Sequence, residues 1–252
     1  MMRLVTHGYD AMRLVSMYGP AGAARIVRAL LRGGGAIEFQ NRGRTYVMPN
    51  GLSTRYHLLE SIEKLRGLAE HVRPLDRVIV DVGAHAGLFT AFALERAPHA
   101  SALVVEPEVA MEPIIQRNLA HHTEWRLVQA AVSGAAGEAT FYRAASSQES
   151  SLIPTTIRSS MESMTVPTVT LDELCRDFEQ VDVLKVDVQG AEHFVLSGAR
   201  ETIPRVRTLL IEVSLIDSQP HRVLEELVVA FGPWRVINPV YAGADLLFER
   251  AT

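Results

Sequence analysis

The sequence contains a single cysteine, Cys175, among its 252 residues. One cysteine cannot form an intramolecular disulfide or a multi-cysteine metal site, so we expect a protein of the reducing cytoplasm. Long apolar runs are also missing. No stretch approaches the ~18 consecutive apolar residues of a membrane span, and the start of the chain lacks the apolar core of a signal peptide. The sequence therefore predicts a soluble cytoplasmic protein with no membrane partner.

Neither sign of charge dominates the chain. The 25 Lys and Arg residues against 29 Asp and Glu residues give a net charge of −4, without a long run of one sign. Nucleic acids bind to concentrated positive charge, so we expect no nucleic-acid partner. Only two of the basic residues are lysines, Lys64 and Lys185. We attribute this scarcity to a genomic bias towards arginine.

The first 75 residues predict helices and a β-hairpin ahead of a larger domain. Apolar positions recur at helical spacing in residues 1–32 and are interrupted at Gly19-Pro20, which indicates two short helices. Two β-rich stretches between residues 36 and 48 flank a turn and predict a hairpin, after which a further helix is expected. We expect residues 1–75 to cap the substrate end of the domain that follows.

Residues 76–252 show a different sequence pattern, in which short apolar strands alternate with helices. Apolar runs without polar alternation are typical of strands buried on both faces of a parallel sheet. They occur at 78–80, 102–105, 126–128, 183–186 and 209–211. Two final stretches, 234–237 and 245–248, are joined by a loop too short for a crossover helix and should pair antiparallel. The predicted fold is doubly wound α/β, with an insertion at about 137–170 that is either a binding loop or a surface excursion.

Ligands of such sheets bind beyond the carboxyl ends of the strands. The first strand ends in a glycine-containing turn, Asp81-Val-Gly-Ala-His-Ala-Gly87, before a helix, and the second strand ends at Glu106, 19 residues after Gly87. An acidic residue at about this distance can accept hydrogen bonds from both ribose hydroxyls. Because His85 replaces the middle glycine of the dinucleotide pattern, a dehydrogenase is disfavoured. We predict a nucleoside site without phosphate; a ligand-free turn and a solvated glutamate are the alternatives.

Three carboxylates accompany the later strands. Asp187, Glu192 and Glu212 lie on or just after adjacent strands and are expected to converge. Lys185 lies within an apolar run and needs a partner such as Asp187 or Glu212. Converging carboxylates suit removal of a substrate proton, directly or through a magnesium ion held by Asp187 and Glu212. A structural ion-pair network around Lys185 is the alternative.

Several sequence blocks together resemble the FkbM family of S-adenosylmethionine-dependent methyltransferases. The most particular blocks are Thr170-Leu-Asp-Glu-Leu174 and Lys185-Val-Asp-Val-Gln-Gly-Ala-Glu192. Further blocks, at 81–87, 105–107, 131–133 and 150–152, are less particular, and those of the nucleotide site are shared by many class I methyltransferases. The resemblance runs from about Asp76 to the C-terminus. It implies a Rossmann-like sheet of seven strands, S-adenosylmethionine as cofactor, and methyl transfer to a hydroxyl of a natural product such as a polyketide or sugar.

The resemblance also implies roles for individual residues. The positions matched to the cofactor site are Asp81, Gly83, Ala84, Gly87, Glu106, Pro107, Gln129, Ala130, Ala131 and Asp187. Glu106 would meet the ribose, and Asp187 the methionine amino group or the substrate. Ser150 and Ser151 are matched to the substrate side. His85 and His193 are the histidines closest to the site in sequence, and His193 joins the three carboxylates as a candidate catalytic residue.

Other functions remain open at this point. Methylation of a carboxylate, an amine or a glycan would use the same cofactor site. A nucleoside-binding protein without catalysis, such as a sensor or a partner subunit, is the alternative of a different class. A homo-oligomer is compatible with the sequence.

Overall fold

The structure, a computed structural model, describes residues 2–32, 35–50, 52–144, 150–154, 162–215, 219–240 and 243–250. The helices are α1 (Met2–Arg32), α2 (Leu52–Ala69), α3 (Leu88–Arg96), α4 (Glu112–Asn118), α5 (Leu171–Leu174), α6 (Glu192–Ser197) and α7 (Pro220–Phe231). The strands are β1 (Ala36–Asn41), β2 (Arg44–Pro49), β3 (Val78–Val82), β4 (Ser101–Val105), β5 (Trp125–Val128), β6 (Ala131–Val132), β7 (Gly137–Arg143), β8 (Glu162–Val169), β9 (Val181–Val186), β10 (Val206–Ser214), β11 (Trp234–Val240) and β12 (Gly243–Glu249).

A seven-stranded sheet in the order β11-β12-β10-β9-β3-β4-β5 forms the centre of the molecule. Strands β10, β9, β3, β4 and β5 pair in parallel, whereas β12 is antiparallel to both β10 and β11. The α/β fold with a mostly parallel sheet is therefore confirmed, and so is the antiparallel pairing of the last two strands. Because β3 lies between β4 and β9, the strand order reverses there, where open α/β sheets bind ligands.

Both faces of this sheet are covered, which explains why its strands are so uniformly apolar. On one face, α6 and α7 contribute Val195, Val223 and Leu227 to the core. On the other face, the core joins α3 to residues of α1, β1, β2 and α2, such as Ile26 and Ile62. The N-terminal elements therefore share one hydrophobic core with the sheet.

The span of α1 consists of two helices that meet at a kink at Gly19, whose φ of 68° is not helical, just before Pro20, so the predicted interruption at Gly19-Pro20 is confirmed. Strands β1 and β2 form an antiparallel hairpin that runs from the Ala36 and Pro49 pair to the Asn41 and Arg44 pair. Asn118 of α4 attaches this hairpin to the central domain. Its buried side chain accepts a hydrogen bond from the Val47 amide at 2.7 Å and donates to the carbonyls of Val47 and Ala86.

The expected insertion at about 137–170 contains part of a second sheet, in the order β6-β8-β7. Strands β7 and β8 are antiparallel, and β8 is parallel to β6. The polar segment 145–149 and residues 155–161 lie outside the described residues. In the part of the chain that the structure describes, no helix has both the length and the apolarity needed to cross a bilayer.

Candidate active site

A cleft of about 300 Å³ lies beyond the carboxyl ends of β3, β4 and β9. This volume is at the lower end of the range of small-molecule sites. The residues expected at the site that line the cleft are Gly83, Ala84, His85, Glu106, Pro107, Ala130, Ala131, Ser150, Ser151 and Asp187. The N-terminal segment adds Met48, Ser61, Lys64 and Leu65 to the wall. The cleft is therefore formed jointly by the sheet and by the N-terminal segment.

The turn between β3 and α3 requires glycine at two positions. Gly83 has a φ of 74°, and a Cβ atom there would collide with the carbonyl oxygen of Asp187. Gly87 has a φ of 70°, and a Cβ atom there would lie 3.4 Å from the Ile115 side chain. Between them, His85 has a φ of 49°, which is rare for a residue with a side chain. Burial lowers the pKa of His85 to about 4, with Lys185 adding to the effect, so its imidazole is neutral at physiological pH.

Asp81 and Lys185 form a fully buried ion pair beneath this turn. Lys185 Nζ lies 3.1 Å from Asp81 Oδ1 and donates to the Gly83 carbonyl at 2.7 Å, and Thr90 Oγ1 donates to Asp81 Oδ2 at 2.7 Å. Lys185 thus has the carboxylate partner that its position requires, but this partner is Asp81, and neither Asp187 nor Glu212 is in salt-bridge contact with it. Burial lowers the pKa of Lys185, but Asp81 and Asp187 outweigh this and raise it overall. Asp81 supports the turn from below and is outside the cleft lining.

Glu106 lies at the end of β4 with only 7% of its surface exposed. Its Oε2 accepts a hydrogen bond from the His85 amide at 2.7 Å, and its Oε1 accepts one from the Glu108 amide at 2.9 Å. Burial raises the pKa of Glu106 to about 7, against the effect of these two amides. Each carboxylate oxygen has a second acceptor site. The carboxylate is therefore held in one orientation and can still accept hydrogen bonds from a diol.

A second group of polar residues, the Lys64 cluster, consists of Lys64, Asp187, Gln189, Glu212 and Asp245. Its members Lys64, Asp187 and Gln189 line the cleft, whereas Glu212 and Asp245 lie behind them, outside the lining. Lys64 Nζ lies 2.5 Å from Glu212 Oε2, 3.1 Å from Asp245 Oδ1 and 3.4 Å from Asp187 Oδ2. Gln189 Nε2 donates to Asp187 Oδ1 at 2.7 Å and to Glu212 Oε1 at 3.3 Å. Lys64 thus joins the ends of β9, β10 and β12 to α2.

The two carboxylates that share Lys64 and Gln189 differ in proton affinity. Burial raises the pKa of Asp187, but Lys64 and Lys185 more than offset this, and the pKa falls below its ordinary value. Burial and the neighbouring Asp187 raise the pKa of Glu212, and Lys64 compensates only in part. Lys64 stays charged because these carboxylates outweigh its own desolvation and raise its pKa. Asp187 is therefore the permanent anion, whereas Glu212 binds a proton more readily.

Two of the expected catalytic residues do not belong to this cluster. Glu192 is fully buried, and its Oε1 accepts a hydrogen bond from the Gly190 amide at 2.9 Å. The ring of His193 packs on Phe194 with centroids 4.0 Å apart. Neither side chain lines the cleft. The expected convergence therefore brings Asp187 and Glu212 together but leaves out Glu192, whose side chain instead shapes the turn after β9.

The expected magnesium site finds no support. Among the described residues, no group of three or more His, Cys, Asp or Glu side chains is arranged to hold a metal ion. The physical reason is Lys64, because its ammonium lies between the carboxylates of Asp187, Glu212 and Asp245, where a cation would otherwise sit. The ammonium of Lys64 therefore balances part of the negative charge that a metal ion would otherwise balance.

The remaining expected site residues have mainly structural contacts. Ser151 Oγ donates to the Val188 carbonyl at 3.1 Å and accepts from the Ile153 amide at 3.2 Å. Ser150 Oγ accepts from the Ala144 amide at 3.1 Å. Gln129 Nε2 donates to Glu112 at 2.8 Å and lies outside the cleft lining, whereas its neighbours Ala130 and Ala131 line it. Both serine hydroxyls therefore fasten the loop that borders the cleft.

Sequence reasoning missed three members of the cluster, namely Lys64, Gln189 and Asp245. Lys64 is far in sequence from the residues at the strand ends. The one feature that could have pointed to it is that it is one of only two lysines in the chain. In the structure, both lysines are largely buried and paired with carboxylates. Gln189 has a φ of 55°, a strained backbone geometry of the kind that concentrates at functional sites.

Comparison with known proteins identifies the family of the chain. The model of the methyltransferase FkbM domain matches residues 81–232. The chain is 25% identical over 191 residues to the 2-O-methyltransferase NoeI of Sinorhizobium fredii (strain NBRC 101917 / NGR234), which covers 68% of this chain and 79% of NoeI.

Two solved structures with similar folds are more distant in sequence. The T. thermophilus 16S rRNA N2 G1207 methyltransferase RsmC, in complex with AdoMet and guanosine, is 16% identical with a TM-score of 0.49; the match covers 86% of this chain and 50% of RsmC. M. capricolum TrmK, in complex with S-adenosyl-homocysteine, is 9% identical with a TM-score of 0.46; the match covers 75% of this chain and 68% of TrmK. Because the family model spans more than half of the chain, the protein belongs to the FkbM methyltransferase family and is a methyltransferase.

Proposed function

We propose that this methyltransferase binds S-adenosylmethionine in the cleft and transfers its methyl group to a hydroxyl of a small molecule. The observation that carries the proposal is the buried Glu106 carboxylate, fixed by two amides at the carboxyl end of β4. Membership of the family implies this cofactor. The arrangement suits the ribose diol, because a carboxylate accepts two hydroxyl hydrogen bonds side by side.

The rest of the cleft suits a nucleoside without phosphate. The two lysines that line it, Lys64 and Lys185, are both engaged by carboxylates, so neither is available to a phosphate group. Ala130 and Ala131 form an apolar wall next to Glu106, of the kind on which a flat base packs. Gly83 has no side chain, so a ligand in the cleft can approach its backbone closely. A residue with a Cβ atom could not replace it, because that atom would collide with the carbonyl oxygen of Asp187.

The Lys64 cluster supplies the acceptor chemistry in this proposal. When bound, S-adenosylmethionine supplies an electrophilic methyl group on a sulfonium. Asp187 lines the cleft as an anion and orients the acceptor hydroxyl by accepting its hydrogen bond. Asp187 would receive the hydroxyl proton as the methyl group is transferred to the acceptor oxygen, and Glu212, which is joined to Asp187 through Gln189, has the higher proton affinity of the two.

A hydroxyl acceptor is favoured over a carboxylate by the charge of the cluster. Three carboxylates face one ammonium, so an anionic acceptor would meet repulsion at Asp187. The name of NoeI, a 2-O-methyltransferase, supports oxygen as the methylated atom. The small size of the cleft, one wall of which comes from the N-terminal segment, supports a small acceptor.

Calorimetry tests the cofactor site. Wild-type protein should bind S-adenosylmethionine, and Glu106→Ala should weaken binding at least about tenfold, because hydrogen bonds to a charged acceptor contribute about 1.5–3 kcal/mol each. The matched control is Glu124→Ala, which removes an exposed glutamate and should leave the affinity unchanged. Equal affinity of wild type and Glu106→Ala would remove Glu106 from the site, and absence of binding to the wild type would refute the proposal.

The methylated atom is tested with S-adenosylmethionine carrying a labelled methyl group and a set of hydroxyl, carboxyl and amino compounds. Transfer to a hydroxyl gives an ether whose label survives mild base, whereas a methyl ester loses its label there. Amines are recognised by fragmentation in mass spectrometry. Label found only in base-labile or amine products would refute the hydroxyl acceptor while leaving the cofactor site intact.

A further inference from the structure

The Lys64 cluster carries more negative than positive charge, although it lies in the same cleft as Glu106. Asp187, Glu212 and Asp245 all lie within 3.4 Å of the single ammonium of Lys64. The other buried ion pair at the cleft, Lys185 with Asp81, has one charge of each sign. The described side chains at this side of the cleft therefore carry a net negative charge, and because they are largely buried, solvent screens this charge less than it would at the surface.

This charge lies close to the cofactor cradle. Asp187 lines the cleft with its side chain, while its carbonyl oxygen packs against Gly83 of the β3–α3 turn. Asp245 is only 2% exposed and is not in the cleft lining, so it acts on a ligand through its field and not by contact. A ligand whose ribose binds to Glu106 therefore extends through the cleft towards the negatively charged Lys64 cluster.

S-adenosylmethionine and its product S-adenosylhomocysteine differ in one methyl group and one positive charge at sulfur. Resting on the proposed function, we infer that the Lys64 cluster makes the cleft favour the sulfonium ligand over the uncharged thioether. The negative charge attracts the cation and has no such interaction with the product. The cluster would thereby limit product inhibition, because release of the thioether meets less resistance than release of the sulfonium.

The test uses binding alone and needs no acceptor. The dissociation constants of both compounds are measured by calorimetry at pH 8, and the quantity of interest is the thioether constant divided by the sulfonium constant. Asp245→Asn keeps the shape of the side chain and removes one negative charge. We expect this ratio to fall about threefold or more, since unit charges in one partly buried cleft interact appreciably. Should Asp245→Asn fail to fold, Glu212→Gln makes the same change in charge and should lower the ratio equally.

Two controls separate charge from structural damage. Asp182→Asn makes the same chemical change at the opposite end of β9, where Asp182 accepts hydrogen bonds from the amides of Arg77 and Val78, and it should leave the ratio unchanged. Glu106→Gln should weaken both ligands alike, because the two share one ribose. If wild type and Asp245→Asn bind both compounds with the same ratio, the inference is overturned and the cofactor site stands. If the wild type binds neither compound, the proposed function itself fails.

Discussion

Lys64 Nζ lies 2.5 Å from Glu212 Oε2, which joins two residues that are 148 positions apart in the chain. Lys64 belongs to α2, ahead of the segment matched by the family model, whereas Glu212 lies within that segment, two residues before the end of β10. Through this contact the N-terminal segment supplies the cation that stabilises the carboxylates of the Lys64 cluster. The segment is therefore part of the cleft wall as well as part of the core.

Removal of the Lys64 charge should be strongly destabilising. Lys64→Met leaves three largely buried carboxylates without their cation, and breaking a buried ion pair from one side costs about 3–5 kcal/mol. Urea unfolding measures the loss of free energy of unfolding. The control is Glu63→Gln, which changes the neighbouring, exposed residue that pairs with Arg13. This variant should change the free energy of unfolding by less than about 1 kcal/mol. The double variant Lys64→Met with Glu212→Gln should recover part of the loss; no recovery would contradict the direct coupling.

Gly83→Ala should damage both folding and cofactor binding. The added methyl group would collide with the carbonyl oxygen of Asp187, and the φ of 74° disfavours alanine in addition. Gly43→Ala is the matched control, because Gly43 has a φ of 80° with no atom within 4 Å of the added carbon. Gly43→Ala should therefore show the backbone effect alone, about 1 kcal/mol or more. Equal destabilisation of the two variants would show that the β3–α3 turn can move away from Asp187.

Glu106 should make folding stability depend on pH. Its pKa is raised to about 7 in the folded protein, above the ordinary value of 4.5, so the folded state binds the proton more tightly than the unfolded state. Between about pH 4.5 and 7 this group therefore lowers the free energy of unfolding as pH rises. The Glu106→Gln variant lacks this titration. Its free energy of unfolding relative to wild type should increase across that range, and a constant difference would indicate an ordinary pKa.

Asn118 should hold the hairpin against the central domain. Asn118→Ala leaves the Val47 amide, the Val47 carbonyl and the Ala86 carbonyl without their side-chain partner. Each buried group left unsatisfied costs about 1–3 kcal/mol, so we expect a loss of at least ~2 kcal/mol in urea unfolding. Gln116→Ala on the same helix removes an exposed side chain bonded to Glu112 and should have little effect. Similar values for both variants would contradict a fastening role.

The turn and the strand end that border the cleft could be predicted because their determinants are local. The turn from Asp81 to Gly87 and the strand end at Glu106 lie directly after apolar strands, and parallel strands place their carboxyl ends at one edge of a sheet. Burial on both faces makes such strands continuous apolar runs, so their number and type follow from the residues themselves. The same local logic identified the antiparallel pair at the end of the chain.

Contacts between distant segments were decided only by the tertiary structure. Lys185 pairs with Asp81 because the register of β3 and β9 places these two residues side by side, and neither strand encodes that register alone. Lys64 reaches Glu212 and Asp245 because α2 packs on the sheet, and an apolar helical face specifies burial but not its partner. The sequence by itself determined the α/β pattern and the position of Glu106. The packing of α2 decided which charges meet in the Lys64 cluster, because an ion pair depends on distance in space and not on separation along the chain.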